Sequence, residues 1–300
     1  MTQQRTVGFV GLGNMGGRMT RRLVGAGIEV IGYDPRPGAA ESVGATSAAG
    51  PADVARRARV VLMSLPDSHV VEPVVRGADG LLAGASAGTI VVDLSTASPA
   101  STVRLHDEAA AKGVRYLDAG ISGGAAAAEK GTLTIMAGGD AGALAEIAWV
   151  MGPIAAHVHH MGPSGAGHTA KLLNNFLNAV SLAATAEVMV AGRKSGLDLA
   201  QLLDVINTSS GVNFATTNRF PHIVRGDYLE GGLTGRLMTK DVALYVDLLG
   251  RLGVPSLNAA GPLASFGLAE NLGYGDQISN RVVDAIGDVA GGVRVHETKE

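Results

Sequence analysis

The apolar and polar positions of this chain follow two different rhythms. In the first half, short runs rich in β-branched residues recur at Val7 to Val10, Val30 to Tyr33, Val60 to Leu65, Ile90 to Leu94, Val114 to Leu117, Leu133 to Met136 and His157 to His160. Helical stretches separate them, and that alternation predicts a mostly parallel sheet covered by helices on both faces. The rhythm stops after Gly162-Pro163-Ser164-Gly165-Ala166-Gly167. A proline-free segment rich in Ala, Leu and Val, from about His168 to Lys194, then predicts one long helix. Beyond Leu197 the spacing of Leu199, Leu202, Leu203 and Ile206, and later of Leu244, Leu248 and Leu249, is helical throughout. The expected architecture is an α/β dinucleotide-type domain over 1–164, and a helical domain over 165–300 that begins with the long connecting helix. The polar tail Val293 to Glu300 is expected to fray. No repeat of fixed period occurs, and Ala125 to Ala128 is the nearest approach to low complexity.

Composition narrows the function classes. Three hundred residues exceed the usual size of a single core, and 46% hydrophobic residues suffice to build two. A net charge of −3 with both signs dispersed offers no basic field for nucleic acid or an anionic membrane. The absence of cysteine removes disulfides, thiolate metal sites and cysteine nucleophiles together, and agrees with a cytoplasmic setting. The apolar run Thr6 to Val10 starts too close to Met1 for a secretory leader to precede it. No apolar stretch reaches the roughly 20 residues that a membrane span needs.

The first chemical signal is Gly11-Leu12-Gly13-Asn14-Met15-Gly16, between the strand Val7 to Val10 and the helical Arg18 to Val24. Gly11 permits a tight turn, Gly13 lets backbone approach a pyrophosphate, and Gly16 allows close helix packing, while the helix N-terminus favours phosphate charge. Three glycines alone describe many turns. Here the second strand also ends on Asp34, placed to accept hydrogen bonds from adenosine ribose hydroxyls, so the cofactor expected is NAD. Arg36, two residues on, opens a route to the extra phosphate of NADP.

With these motifs in order, the sequence resembles the β-hydroxyacid dehydrogenase family, which includes 3-hydroxyisobutyrate dehydrogenase and tartronate semialdehyde reductase. The resemblance spans nearly the whole chain. It rests on Gly8 to Gly16, on Asp93-Leu94-Ser95-Thr96, on Asp118 to Gly124 with Gly131-Thr132-Leu133, on Gly165-Ala166-Gly167 with Lys171 and Asn175, and on Lys240-Asp241. It implies a Rossmann-type domain, a helical C-terminal domain, a cleft between them for a small acid substrate, and assembly as a homodimer or homotetramer. It also implies that Thr96 and Lys240 contact cofactor and that Ser122, Gly123 and Gly124 bind substrate. Two positions depart from the family's pattern: Gly120-Ile121 stands where Pro-Val is common, and Leu233 near a customary Phe, with Arg236 close by.

Oxidising an alcohol by hydride transfer requires a group that takes the hydroxyl proton. The resemblance singles out Lys171, since a helical lysine taken alone is usually a solvated charge. It lies one turn inside the long helix, where burial and the helix's positive end both favour the neutral amine. Asn175, four residues on, shares its face and can hold substrate or orient the lysine. Ser122-Gly123-Gly124 follows a strand and can offer a hydroxyl and backbone N–H groups to a carboxylate. His157 and His159 share a strand face and His160 opposes them, but no acidic pair completes a metal shell, so no metal is expected. His168 lies three residues before Lys171 with no assigned role. A non-catalytic dinucleotide-binding module and an imine reductase on the same scaffold are the competing readings, and Lys171 with Asn175 argues against both.

Overall fold

In a computed structural model the chain is described over residues 5–296. By packing it divides into two compact units after Lys171, each taken here by itself.

The first unit is built on an eight-stranded sheet of order β3-β2-β1-β4-β5-β6-β7-β8. The strands are β1 (Thr6–Val10), β2 (Glu29–Tyr33), β3 (Thr46–Ser47), β4 (Val60–Met63), β5 (Ile90–Asp93), β6 (Arg115–Ser122), β7 (Leu133–Gly138) and β8 (Ala155–Gly162). All neighbours pair in parallel except β6 with β7. Strand order reverses between β1 and β4, and in sheets of this kind ligands lie outside the carboxyl ends of the strands at that switch point. Side chains sort by parity. Val7, Phe9, Val60, Leu62, Ile90 and Val92 enter one buried cluster, whereas Val10, Val61, Met63 and Val91 enter the cluster on the opposite face. Both faces are covered, which is why these strands read as unbroken apolar runs rather than as alternation.

Three expectations change. The two-residue strand β3 was too short to leave a pattern. β6 continues five residues past Leu117, because antiparallel pairing from Asp118↔Gly138 to Ser122↔Thr134 carries it through two glycine-containing steps that read as a loop. The long helix runs from Ala166 to Lys194, so the last two residues of the glycine-rich turn are already helical. Its first turn is bonded into the sheet unit, and packing divides the chain at Lys171.

The second unit is helical. Ala179, Leu182, Ala186, Met189 and Val190 of the long helix recur every three or four residues and pack into one core with Phe220, Met238 and Phe266. The spaced leucines become helices Leu199–Asn207 and Gly235–Leu252. Asp198 caps the first through Gln201 N–H, Thr234 caps the second through Leu237 N–H, and Gly253 ends it in the left-handed region. The tail is pinned rather than frayed as far as it is described: Val295 is buried, and Arg193 donates to the carbonyls of Arg294 and Val295. The rest of the expected tail, 297–300, lies outside the described residues. Among the described residues no helix is long and apolar enough to cross a membrane.

Candidate active site

At the carboxyl end of β1 the glycine loop has the shape that its residues dictate. Gly11 sits at φ +85°, and a Cβ there would lie 2.4 Å from the Ser64 carbonyl oxygen. At Gly16 a Cβ would stand 1.9 Å from the Gly11 oxygen, so the helix Asn14–Gly25 can approach the loop only with glycine. Gly13 differs: as the N-cap it has no side chain over the helix end, and a Cβ there would meet nothing within 4 Å. An open helix N-terminus bare of side chain is a cradle for a pyrophosphate, so the residues present fit a dinucleotide. Beside it a cleft of about 390 Å³ is lined by Leu12, Gly13, Gly17, Arg21, Arg36 and Ser42, among others. Asn14 and Met15 form the first turn of that helix.

Asp34 stands where expected, but it is already engaged. Its Oδ1 accepts from Arg36 Nε at 2.8 Å and from Arg36 N–H at 3.1 Å, and its Oδ2 from Leu12 N–H at 2.8 Å and Arg36 Nη2 at 3.2 Å. Burial pushes the carboxyl upward, but the Arg36 guanidinium and the two backbone donors outweigh it and hold Asp34 below the usual carboxylate range. Thr96 follows β5 in a loop tied from beneath. Asp93 Oδ1 accepts from Ser95 N–H at 3.0 Å, Asp93 Oδ2 from the Tyr116 hydroxyl at 2.9 Å, and Ser95 Oγ from Leu65 N–H at 3.0 Å. Burial, then the Asp93 charge, raises the Tyr116 phenol well above its ordinary range, so it stays a donor.

The start of the long helix is set by Asp118 on β6. Its two buried oxygens accept from Gly165 N–H and His168 N–H, each at 2.8 Å. Glycines make this approach possible, since a Cβ on Gly167 would lie 2.4 Å from the Met136 oxygen and 2.6 Å from the Asp118 backbone oxygen. One turn later Lys171 is 8% exposed and its stem lies against β6, where a Cβ on Gly120 would stand 2.5 Å from Lys171 Cβ. His168 is fully buried, with Nδ1 2.7 Å from Thr102 Oγ1. Ser122 ends β6, and Gly123 (φ +121°) and Gly124 (φ +68°) turn the chain into the helix Gly124–Lys130. A Cβ on Gly124 would meet nothing within 4 Å.

In the second unit Asn175 is buried and its Nδ2 donates to Asp241 Oδ2, while Lys240 Nζ lies 3.1 Å from Asp241 Oδ1. Lys240 and Asn175 therefore share one carboxylate. The rings of His157 and His159 stack on one face of β8 with centroids 6.3 Å apart.

Comparison with known proteins carries the assignment further. Residues 6–162 match the NAD binding domain of 6-phosphogluconate dehydrogenase, and residues 165–285 match the NAD-binding domain of NADP-dependent 3-hydroxyisobutyrate dehydrogenase. The chain belongs to the 3-hydroxyisobutyrate dehydrogenase family. It is an NAD(P)-dependent β-hydroxyacid dehydrogenase, acting on the CH–OH group of a small hydroxy acid. The NAD-dependent L-serine dehydrogenase of Pseudomonas aeruginosa is 38% identical over 80% of this chain and 84% of its own. The 2-(hydroxymethyl)glutarate dehydrogenase of Eubacterium barkeri is 34% identical over 92% of this chain and 93% of its own. Among solved structures, Mycobacterium tuberculosis 3-hydroxyisobutyrate dehydrogenase with L-serine superimposes with a TM-score of 0.83, at 31% identity, over 95% of this chain and 99% of that one.

Reading the sequence did not single out the two carboxylates that support these elements. Asp118 and Asp241 were seen only as parts of motifs, although each holds a named site element in place. A buried carboxylate in a strand, followed 47 and 50 residues later by glycine-turn N–H groups, leaves no local periodicity to find.

Proposed function

We propose that the enzyme oxidises a small hydroxy acid with Lys171 taking the hydroxyl proton, Asn175 orienting the reacting group, and Ser122 to Gly124 receiving the substrate carboxylate. The observation that carries this reading is the placement of Lys171: a buried amine one turn into a helix whose start is fixed to the sheet by Asp118. The nicotinamide cofactor, when bound through the loop Gly11 to Gly16, supplies the acceptor for the hydride. The form of Lys171 that can accept a proton is the neutral amine. In the reverse direction the same amine returns the proton to the aldehyde oxygen. Asn175, braced by Asp241, keeps its amide at a fixed orientation on the same helix face. A screen of 3-hydroxyisobutyrate, L-serine, glycerate, threonate, 4-hydroxybutyrate and 2-(hydroxymethyl)glutarate, read as absorbance of reduced cofactor, tests the reading. Turnover of none of them would remove it.

Ser122→Ala should weaken substrate binding by about 0.5–3 kcal/mol, the range for one hydrogen bond to a neutral or charged partner, and leave cofactor affinity nearly unchanged. Equal loss of both affinities, measured by titration, would instead indicate a distorted turn.

For the cofactor we favour NAD. Asp34 stands at the end of β2, where it repels a ribose 2′-phosphate and accepts from the NAD ribose. All four of its acceptor directions are occupied, so a ribose must displace Arg36, whose side chain is 63% exposed and leaves at little cost. Asp34→Ser should move the ratio of catalytic efficiencies toward NADP by roughly tenfold or more, equivalent to about 1.4 kcal/mol. A parent enzyme that prefers NADP and loses the preference in Arg36→Ala would reverse the ranking of these two residues. A homo-oligomer is supported by apolar side chains left exposed on the long helix, at Leu173, Leu177 and Val188.

A further inference from the structure

β7 is an interior strand, with β6 on one side and β8 on the other, and five of its six residues are buried. Thr134 is the exception. It stays half-exposed, and among the described residues its hydroxyl has no hydrogen-bond partner. In the antiparallel pairing of β6 with β7 it stands directly opposite Ser122. Residues so paired carry their side chains on the same face of the sheet, with Cβ atoms about 4.5–5.5 Å apart. Ser122 is also half-exposed, and its hydroxyl likewise has no partner among the described residues.

The face that these two hydroxyls share is the one on which the long helix begins. Alternation along β6 places Ser122 on the same side as Gly120 and Asp118. Asp118 accepts from Gly165 N–H and His168 N–H, and a Cβ on Gly120 would stand 2.5 Å from Lys171 Cβ. The row formed by Ser122 and Thr134 is therefore the neighbour of the row that Lys171 overlies, about 7 Å along the strand. One small acid can touch both. Past Ser122 the turn is open as well, since a Cβ on Gly124 would meet nothing within 4 Å. Every residue in this arrangement belongs to the first unit.

We infer that Thr134 is a specificity residue: its hydroxyl and that of Ser122 form a two-pronged clamp, each donating to one oxygen of the substrate carboxylate. Two donors on adjacent strands suit a planar group with two acceptor oxygens, and a primary amide offers only one, because its nitrogen donates. The inference rests on the reading of Ser122 as a carboxylate-binding residue. The test compares catalytic efficiency on 3-hydroxyisobutyrate with that on its primary amide, in the parent enzyme, Thr134→Val, Thr134→Ser and Ser122→Ala. Valine keeps the β-branched shape of threonine and removes the hydroxyl. The parent should favour the acid. The acid-to-amide ratio should drop roughly 10- to 100-fold in Thr134→Val, the loss of a hydrogen bond to a charged acceptor, and stay within about threefold of the parent in Thr134→Ser. A ratio that is unchanged in Thr134→Val but lowered in Ser122→Ala would overturn the clamp and leave the reading of Ser122 standing, whereas a ratio unchanged in both would overturn the two together. A ratio that falls as far in Thr134→Ser as in Thr134→Val would assign the effect to packing, and would overturn the clamp too. Should Thr134→Val fail to fold, Thr134→Ala removes the same hydroxyl and decides by the same ratio. If neither compound is oxidised, calorimetric titration of the cofactor-loaded protein with 3-hydroxyisobutyrate decides. Binding weakened in Thr134→Val and kept in Thr134→Ser supports the clamp, and equal binding in all, or none by the parent, overturns it.

Discussion

Lys171→Met should leave a folded protein that still binds its cofactor but oxidises substrate roughly two to four orders of magnitude more slowly, the range for lost acid–base catalysis. Methionine is the informative replacement. The lysine stem is packed on β6 opposite Gly120, so Lys171→Ala would remove packing and amine together, whereas methionine keeps most of the stem volume. The two losses then separate. Stopped-flow turnover with cofactor and substrate both saturating reads the chemical contribution, and cofactor affinity read by fluorescence titration reports whether the fold around the glycine loop survives. A methionine variant within threefold of the parent rate would mean that Lys171 serves as a spacer between helix and sheet, and the proton acceptor would have to be sought elsewhere. Parallel collapse of rate and cofactor affinity would assign the defect to folding.

The features legible from the sequence were those written in short periods. Continuous apolar runs placed the central strands β1, β2, β4 and β5, because strands covered on both faces need apolar residues at every position, not at every second one. The loop Gly11 to Gly16 was legible because its glycines recur at a spacing with distinct demands: the structure shows close approaches that exclude a side chain at Gly11 and Gly16, and an open helix end at Gly13. Long-range polar contacts were not legible. Asp34 could be placed from its position at a strand end, but its saturation by Arg36 and Leu12 depends on how the chain turns at Pro35. Thr134 stands outside the motifs, and its place beside Ser122 is visible only in the register of β6 with β7.

The helix field at Lys171 illustrates the same limit. From sequence, the positive end of a long helix counts as a force against a charged amine one turn inside it. In the fold a buried carboxylate, Asp118, sits on that very end and offsets the field. Nothing near Lys171 in the chain announces this, since Asp118 reaches it from a different strand.

Asp118→Ala should be the most destabilising of these changes to the first unit. The substitution strands the N–H groups of Gly165 and His168, both buried, and no nearby side chain can replace the lost oxygens because Gly138 and Gly167 bring only backbone to the spot. At about 1–3 kcal/mol for each buried donor left without a partner, the expected cost is about 2–6 kcal/mol. Asp118→Asn should cost less, since its amide keeps one acceptor, but its NH₂ then faces a backbone donor. Trp149 is the single tryptophan of the chain and belongs to the first unit, so its fluorescence during urea unfolding follows that unit rather than the helical one. The midpoint should drop strongly in Asp118→Ala and by an intermediate amount in Asp118→Asn. Because the same two bonds fix where the helix begins, and Lys171 is carried on its second turn, activity measured well below the unfolding midpoint should fall as well. A variant with lowered midpoint but full activity would show that the helix start holds Lys171 in place without the carboxylate, through the glycine-lined backbone contacts alone.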